Sequence, residues 1–298
     1  MIELREIVKK KTFNEWKLFW LISGPISVAM VIAMMRTDLT TGEGVSSMIS
    51  LSVRCAIPWL YLAFAASSIQ ILFPGPVSLW LLHNRKIFGL CFAAAMAWQA
   101  LFIVWLTTVH RDYYVEEVYV LRDVIEGVIG YAFLIAMTLT SFRFGRKRLK
   151  PNQWKVLHKV GIYSLWIYAF SVYWWALFYY PDPGGIDYLY YCSGFLAWGL
   201  RSAAWRKKRL QGAARIDPQV ITRPGFVLVG MAMVGIGLIV AFSGLAWQAP
   251  VEELLTSHAL TRWPELYLPY WPFEPYFSVF IIAFGVFLTT MSQKLQAE

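Results

Sequence analysis

The sequence predicts an all-α, polytopic membrane protein, a helix bundle with about eight transmembrane helices and both termini in the cytoplasm. Its composition excludes an ordinary soluble domain, because 58% of the 298 residues are hydrophobic and only 15% are charged. Several apolar runs reach the length of about 20 residues that a helix needs to cross the hydrocarbon core of a bilayer. The 15 Trp and 16 Tyr suit a chain with two water–lipid interfaces, where amphipathic rings collect.

The distribution of charge predicts the orientation. Suppose that the N-terminal segment, the turns near residues 85, 150 and 210, and the C-terminus share one side of the membrane. That side then holds all but five of the 27 Lys and Arg and few of the 18 acids. Cytoplasmic loops carry such an excess, so the net charge of +9 needs no nucleic-acid partner. Attraction of anionic lipid headgroups to the same loops is a general property of this pattern.

The chain divides into a cytoplasmic segment 1–16, a six-span bundle 17–205 and a C-terminal part 206–298. The C-terminal part combines a basic cytoplasmic loop, a two-span hairpin and an outer segment, 248–274, that is rich in Pro and aromatic residues. Aromatic segments of this kind lie along the outer interface of a membrane. The eight predicted spans cover residues 17–35, 51–73, 87–109, 127–141, 156–179, 186–205, 226–247 and 275–291.

Breakers and polar loops separate the spans. Residues 36–50 are rich in Thr, Gly and Ser, which predicts an outer loop, and the run Phe73-Pro74-Gly75-Pro76 ends span 2. Residues 77–84 are apolar but too short to cross, so they form an interfacial or re-entrant segment. Span 6 is the least apolar of the eight, because Asp187 and Arg201 interrupt it.

The cysteines predict neither disulfides nor a metal site. Cys55, Cys91 and Cys192 each fall within an apolar run and have no CxxC spacing. They are expected to be small buried hydrophobic side chains. The sequence also contains no Ser/His/Asp arrangement and no HExxH motif, so no catalytic residue and no metal ligand is predicted.

Three short motifs carry a family resemblance: Arg85-Lys86-Ile87-Phe88-Gly89-Leu90, Leu139-Thr140-Ser141 and Trp154-Lys155-Val156-Leu157-His158-Lys159. Together with the order and direction of spans 2 to 5, they resemble the ferric reductase-like transmembrane domain family. That family includes the bacterial membrane haem subunit of the periplasmic methionine sulfoxide reductase system. The resemblance covers roughly residues 50 to 180.

The resemblance implies b-type haems held between spans 3 and 5, with histidines about four helical turns, ~20 Å, apart on each helix. By this resemblance His158 occupies the inner ligand position on span 5, and Gln99 occupies the position facing it on span 3. The outer positions fall at Ser171 or Val172 on span 5 and at Asp112 or Tyr113 on span 3. One of the four positions therefore carries a histidine.

The other histidines offer limited substitutes. His110 lies near the outer end of span 3 and is a further candidate haem ligand, whereas neither His83 nor His258 falls on a helix suited to hold a haem. The alternative for His158 is a polar residue near the inner interface, bonded to a carbonyl, to Gln99 or to a lipid headgroup. This alternative is favoured, because a polar side chain near an interface is much less costly than one at mid-membrane.

Three functional hypotheses follow. The leading one is a ferric reductase-like bundle that has lost its haem sites and serves as a non-catalytic subunit or assembly factor of a membrane complex. The second is a haem b electron conduit from a cytoplasmic or quinone donor to a periplasmic acceptor; it would be an oxidoreductase subunit without its own flavin or NAD domain. Transport ranks last, because no span has a charged residue at mid-depth. The expected location is a bacterial-type cytoplasmic membrane, and the expected partners are the lipid bilayer and other membrane or periplasmic subunits.

Overall fold

The computed structural model of the protein describes residues 13–178, 180, 182–216, 220–243, 246 and 274–294. These residues form an all-α structure with one pair of three-residue strands. Six of the helices are long and apolar enough to cross a membrane. The structure thus confirms the predicted class, a multi-pass helical membrane protein.

The elements follow one another along the chain with short connections. The first seven helices are α1 (Glu15–Arg36), α2 (Gly42–Leu72), α3 (Pro76–His83), α4 (Arg85–Val109), α5 (Leu121–Thr140), α6 (Arg143–Arg146) and α7 (Pro151–Phe178). The remaining elements are α8 (Gly185–Ile216), β1 (Val220–Thr222), α9 (Pro224–Phe242), α10 (Phe277–Leu288) and β2 (Ser292–Lys294). A helical turn, Arg111–Tyr113, and a π-helix, Tyr114–Val118, lie between α4 and α5, and a 3-10 turn, Glu274–Tyr276, precedes α10. The six long apolar helices are α1, α2, α4, α5, α7 and α9.

The chain forms two compact units, Met1–Ala169 and Phe170–Glu298. In the first unit the most extensive helix contact is that of α2 with α4, and α1 packs on α4 as well. Two apolar clusters fill these contacts: one around Phe88 and Cys91, the other around Met30 and Phe102. The boundary predicted at residues 205 and 206 stays a prediction.

Polar contacts of Asn84 fasten the beginning of α1. The Asn84 side chain is fully buried. Its amide oxygen accepts from the backbone N–H of Glu15 at 3.1 Å, and its amide nitrogen donates to Oδ1 of Asn14 at 3.0 Å. Asn84 also stands between α3 and α4. One side chain therefore joins the first turn of α1 to the break between two other helices.

In the second unit, glycines bring α9 and α10 together. A Cβ atom built on Gly230 would overlap the carbonyl oxygen of Gly285, and one built on Gly285 would overlap the carbonyl oxygen of Gly230. One turn pair further along, a Cβ on Gly237 would overlap the side chain of Ile282. The two backbones are thus in direct contact, which is the role that small residues have in membrane helix pairs.

Side-chain hydrogen bonds add to this hairpin. The hydroxyl of Tyr191 on α8 donates to the carbonyl of Ala241 at 2.7 Å, and Nε of Arg206 donates to Oγ1 of Thr289 at 2.8 Å. Strands β1 and β2 pair antiparallel, with Thr222 opposite Ser292. The pair joins the residues that precede α9 to those that follow α10.

The helices extend beyond several predicted span boundaries. The loop predicted over residues 36–50 is too long, because α2 begins at Gly42 and Oγ1 of its N-cap Thr41 accepts from the N–H of Gly44 at 3.1 Å. The predicted span 6 lies inside the 32-residue α8, which is not one of the six long apolar helices of the described residues. Predicted span 8 is represented by the 12-residue α10. The aromatic segment 248–274 lies outside the described residues, apart from Glu274.

The three cysteines are free, as the spacing predicts. Their environments differ from one another: Cys91 is buried, Cys55 is half-buried and Cys192 is exposed. The prediction of a buried side chain is therefore right for Cys91 and wrong for Cys192, whose apolar run faces outward at that position.

Candidate functional site

The most polar part of the first unit that also carries a family motif lies where α5 ends and α7 begins. Thr140 is the last residue of α5, and His158 lies two turns into α7. Nε2 of His158 is 3.0 Å from Oγ1 of Thr140, within hydrogen-bonding distance. The imidazole is half-buried at this point. The hydrogen bond therefore joins two helices.

Trp154 completes this group. It precedes His158 by four residues, so the two side chains share a face of α7. Their ring centroids are 4.4 Å apart. The indole N–H of Trp154 donates to the backbone carbonyl of Thr140 at 3.1 Å. Thr140, Trp154 and His158 thus form a compact polar group at one end of the α5–α7 pair, which we call the Thr140 group.

Local sequence explains why the chain turns here. Oγ1 of Thr140 donates back to the carbonyl of Ala136 at 2.7 Å, which leaves the hydroxyl lone pairs free to accept. A Cβ atom on Gly145 would overlap the carbonyl oxygen of Leu139, so only glycine allows α6 to fold this tightly against the end of α5. Pro151 then begins α7, where its missing N–H is not needed.

Gln99 lies in a second polar group. It is buried on α4, and its Oε1 accepts a hydrogen bond of 2.7 Å from the hydroxyl of Tyr131 on α5. The same hydroxyl lies 3.1 Å from the carbonyl of Met96. Tyr131 precedes Thr140 by nine residues, which is about 13 Å along the axis of α5. The hydrogen bonds of Gln99 and of His158 therefore go to different partners at different heights on α5.

The structure brings no other described histidine to the Thr140 group. His110 follows the last residue of α4, and its Nε2 is 3.2 Å from the carbonyl of Leu39. The 25-residue α4 separates it by about 37 Å from the α4 end that carries Arg85. His83 is exposed at the end of α3, and His258 lies outside the described residues.

A bis-histidine haem requires two imidazoles on opposite sides of one iron. Within the described residues, His158 is bonded to Thr140 and stacked on Trp154, and the position expected to face it carries Gln99, which is bonded to Tyr131. The space between α5 and α7 is also closed at Gly161, where a Cβ atom would overlap the sulfur of Met137. These residues do not fit a bis-histidine haem at this level. The assignment of His158, Gln99 or His110 as a haem ligand stays a prediction.

The acidic connection between α4 and α5 is the other polar region of this unit. Burial, together with the neighbouring Tyr119 and Asp123, raises the pKa of the Tyr114 hydroxyl above its ordinary value. Among the described residues, no three His, Cys, Asp or Glu side chains come together as a metal site. The connection is therefore an acidic surface rather than a defined centre.

Tyr131 is the residue that sequence reasoning missed. It lies in an apolar span with no motif around it, and a single Tyr in a membrane span is usually part of packing or of the interfacial belt. Thr140 and Trp154, by contrast, belong to the motifs that carried the resemblance. No family model, no curated protein and no solved structure matches the chain.

Proposed function

We propose that the protein is a non-catalytic subunit or assembly factor of a larger membrane complex, built on a ferric reductase-like bundle whose haem-ligand positions have been replaced. The observation that supports this proposal is the bonding of the two inner positions. His158 is tied to Thr140, and Gln99 is tied to Tyr131. Both side chains thus act as links between helices.

The energetics of these links suit a structural role. Inside a bilayer, an interhelical hydrogen bond between side chains contributes about 0.6–2 kcal/mol, because an unpaired polar group in hydrocarbon is costly. The two bonds tie α5 to α4 on one side and to α7 on the other. A bundle that has lost an internal cofactor needs such links to keep its helices in register.

The proposed topology has eight spans and both termini in the cytoplasm of a bacterial-type cell. The basic turns would then face the cytoplasm, and the segment 248–274 would face the periplasm. We assign docking of partner subunits to that outer segment and to the inner basic loops. Reporter fusions after residues 40, 150, 182 and 298 test this orientation: an activity pattern with residue 150 outside the cell would contradict it.

A difference spectrum tests the loss of haem. The full chain, purified from its own membranes, is recorded as dithionite-reduced minus oxidised. We expect no b-type α band. A sharp band at one haem per chain that disappears in His158→Ala would overturn the proposal and favour the electron conduit, with His158 as an axial ligand.

Co-purification tests the partner. The tagged chain is extracted from native membranes in a mild detergent, and the proteins that remain bound at fixed stoichiometry are identified. We expect at least one other membrane or periplasmic subunit, which is lost when the segment 248–274 is replaced by a polar linker. A chain that elutes alone from every extraction would contradict a role as a subunit.

A further inference from the structure

The turn between α5 and α7, residues 141–150, carries a strong positive charge that nothing nearby neutralises. We call it the basic turn. No acidic residue occurs between Glu126 and Asp182. The cations in that interval are Arg143, Arg146, Lys147, Arg148, Lys150, Lys155 and Lys159. In the described part of the chain, no carboxylate forms an ion pair with them; the pair recorded there is Arg122 with Asp123.

The basic turn is ordered by its own backbone. The N–H of Arg146 donates to the carbonyl of Phe142 at 3.0 Å, and the N–H of Lys147 donates to the carbonyl of Arg143 at 3.1 Å. The N–H of Lys150 donates to the side chain of Gln153 at 2.9 Å. Gly145 holds this structure close to the end of α5. The cations are therefore presented from fixed backbone positions.

Two of the cations lie over aromatic rings. The guanidinium of Arg146 is 4.7 Å from the ring centroid of Trp154, and Nζ of Lys86 on α4 is 5.3 Å from that of Phe142. Both distances are those of a cation–π contact. Phe142 also stacks on Trp16 of α1, with the centroids 6.2 Å apart. Cations from two different elements are thus held by rings at the same end of the first unit.

The rings have the composition of a water–lipid interface. Trp154 lies in the first turn of the membrane helix α7, at the depth where Trp side chains collect. Phe144 is 55% exposed and stacks on Phe142 with a centroid distance of 5.9 Å. An apolar ring exposed beside ordered cations suits a ligand with a charged head and a hydrocarbon tail.

We propose that Lys86 and Arg146 form a binding site for the phosphate of an anionic phospholipid, with Phe142, Phe144 and Trp154 against its glycerol backbone and acyl chains. The general attraction of a positive loop to a membrane requires only charge. This site in addition requires that the two cations be held over their rings. The two mechanisms predict different effects for equal changes in charge.

The test compares two double variants of the full chain with equal loss of charge. In K86Q/R146Q the two ring-bound cations are removed; in R143Q/R148Q two cations of the same basic turn are removed. Binding of a fluorescent phosphatidylglycerol to the purified protein in neutral detergent is measured by titration. One basic residue near an anionic headgroup changes affinity about fivefold, so we expect K86Q/R146Q to bind about 25-fold more weakly than the unsubstituted chain. We expect R143Q/R148Q to lose less than fivefold.

Three results would overturn the proposal. Equal losses in the two double variants would show attraction by charge alone. Equal affinity for phosphatidylcholine would remove the requirement for an anionic lipid. Displacement of the lipid by millimolar inorganic phosphate would make the site one for a free anion.

A measurement on the unsubstituted chain covers the case in which K86Q/R146Q does not fold. A photoactivatable phosphatidylglycerol is added to the protein in bilayer nanodiscs, and the cross-linked peptides are identified by mass spectrometry. We expect cross-links within residues 142–154. Cross-links confined to other parts of the chain would contradict the site.

Discussion

The hydroxyl of Tyr131 donates a hydrogen bond of 2.7 Å to Oε1 of Gln99, and the bond joins α5 to α4 within the apolar interior of the first unit. The Gln99 side chain is only 6% exposed, so water is not available as a substitute partner. A buried acceptor that loses its donor pays the full cost of desolvation. Tyr131 and Gln99 are therefore expected to be energetically coupled.

A double-mutant cycle measures this coupling. Tyr131→Phe alone leaves the Gln99 amide unpaired, and we expect it to lower the free energy of unfolding by about 1–2 kcal/mol. With Gln99→Leu already present, Tyr131→Phe should cost less, giving a coupling energy of about 0.6–2 kcal/mol. Unfolding is followed by circular dichroism during titration with a denaturing detergent. Additive effects of the two substitutions would contradict the link.

Thr140→Val removes the hydroxyl that lies against His158 and preserves the shape of the side chain. We expect a loss of about 1 kcal/mol in stability and a faster reaction of His158 with diethylpyrocarbonate, because Nε2 loses its partner. The rate is measured by mass spectrometry of the peptide that contains His158. Thr140→Ser, which keeps the hydroxyl, is the control and should react at the original rate. An unchanged rate in Thr140→Val would rule out the hydrogen bond.

Gly230→Ala should destabilise the α9–α10 hairpin by about 1–3 kcal/mol, because the new methyl group meets the carbonyl of Gly285 and overpacking has costs of this size. Gly235→Ala is a matched control on the same helix. A Cβ atom there has open space around it, and replacing a helical Gly by Ala stabilises a helix by about 0.5–1 kcal/mol in water. The two variants are compared by thermal unfolding in detergent. Equal effects would mean that the close contact between the helices is absent.

Asp38, in the connection between α1 and α2, provides a prediction of pH dependence. Hydrogen bonds from the side chain and the backbone of Thr40 lower the pKa of its carboxyl group below the ordinary value of 3.8. A lowered pKa in the folded state contributes stability that is present above the unfolded pKa and is lost as the pH falls through the folded pKa. Carboxyl titration by NMR should place Asp38 below 3.8, and Thr40→Ala should move its pKa upward. A higher pKa in the unsubstituted chain than in Thr40→Ala would contradict the assignment.

Hydropathy predicted most of the helices but not their ends. It follows the part of a helix that lies in lipid, whereas hydrogen bonding decides where the helix stops. The 32-residue α8 shows the difference: it continues through Arg206-Lys207-Lys208-Arg209 to Ile216, because charged side chains do not end a helix once it leaves the membrane. At the start of α2 the cap at Thr41 has the same effect in the other direction.

The candidate site was predictable only where one local motif holds it. Trp154 and His158 share a face of one helix, so their spacing already places them together. The partner of Gln99 depends on how α4 and α5 are rotated about their axes, and that rotation is set by packing along the whole of both helices. No feature of the residues around Tyr131 encodes it.

The antiparallel pairing of β1 with β2 constrains how often the chain crosses the bilayer. Thr222 and Ser292 lie opposite each other in this pair, so both must emerge on the same side. The number of crossings between them is therefore even. Since α9 is one of the long apolar helices, a single crossing would separate the strands, and the chain must return through the region that includes the shorter α10. Two short strands thus determine the parity of the C-terminal topology.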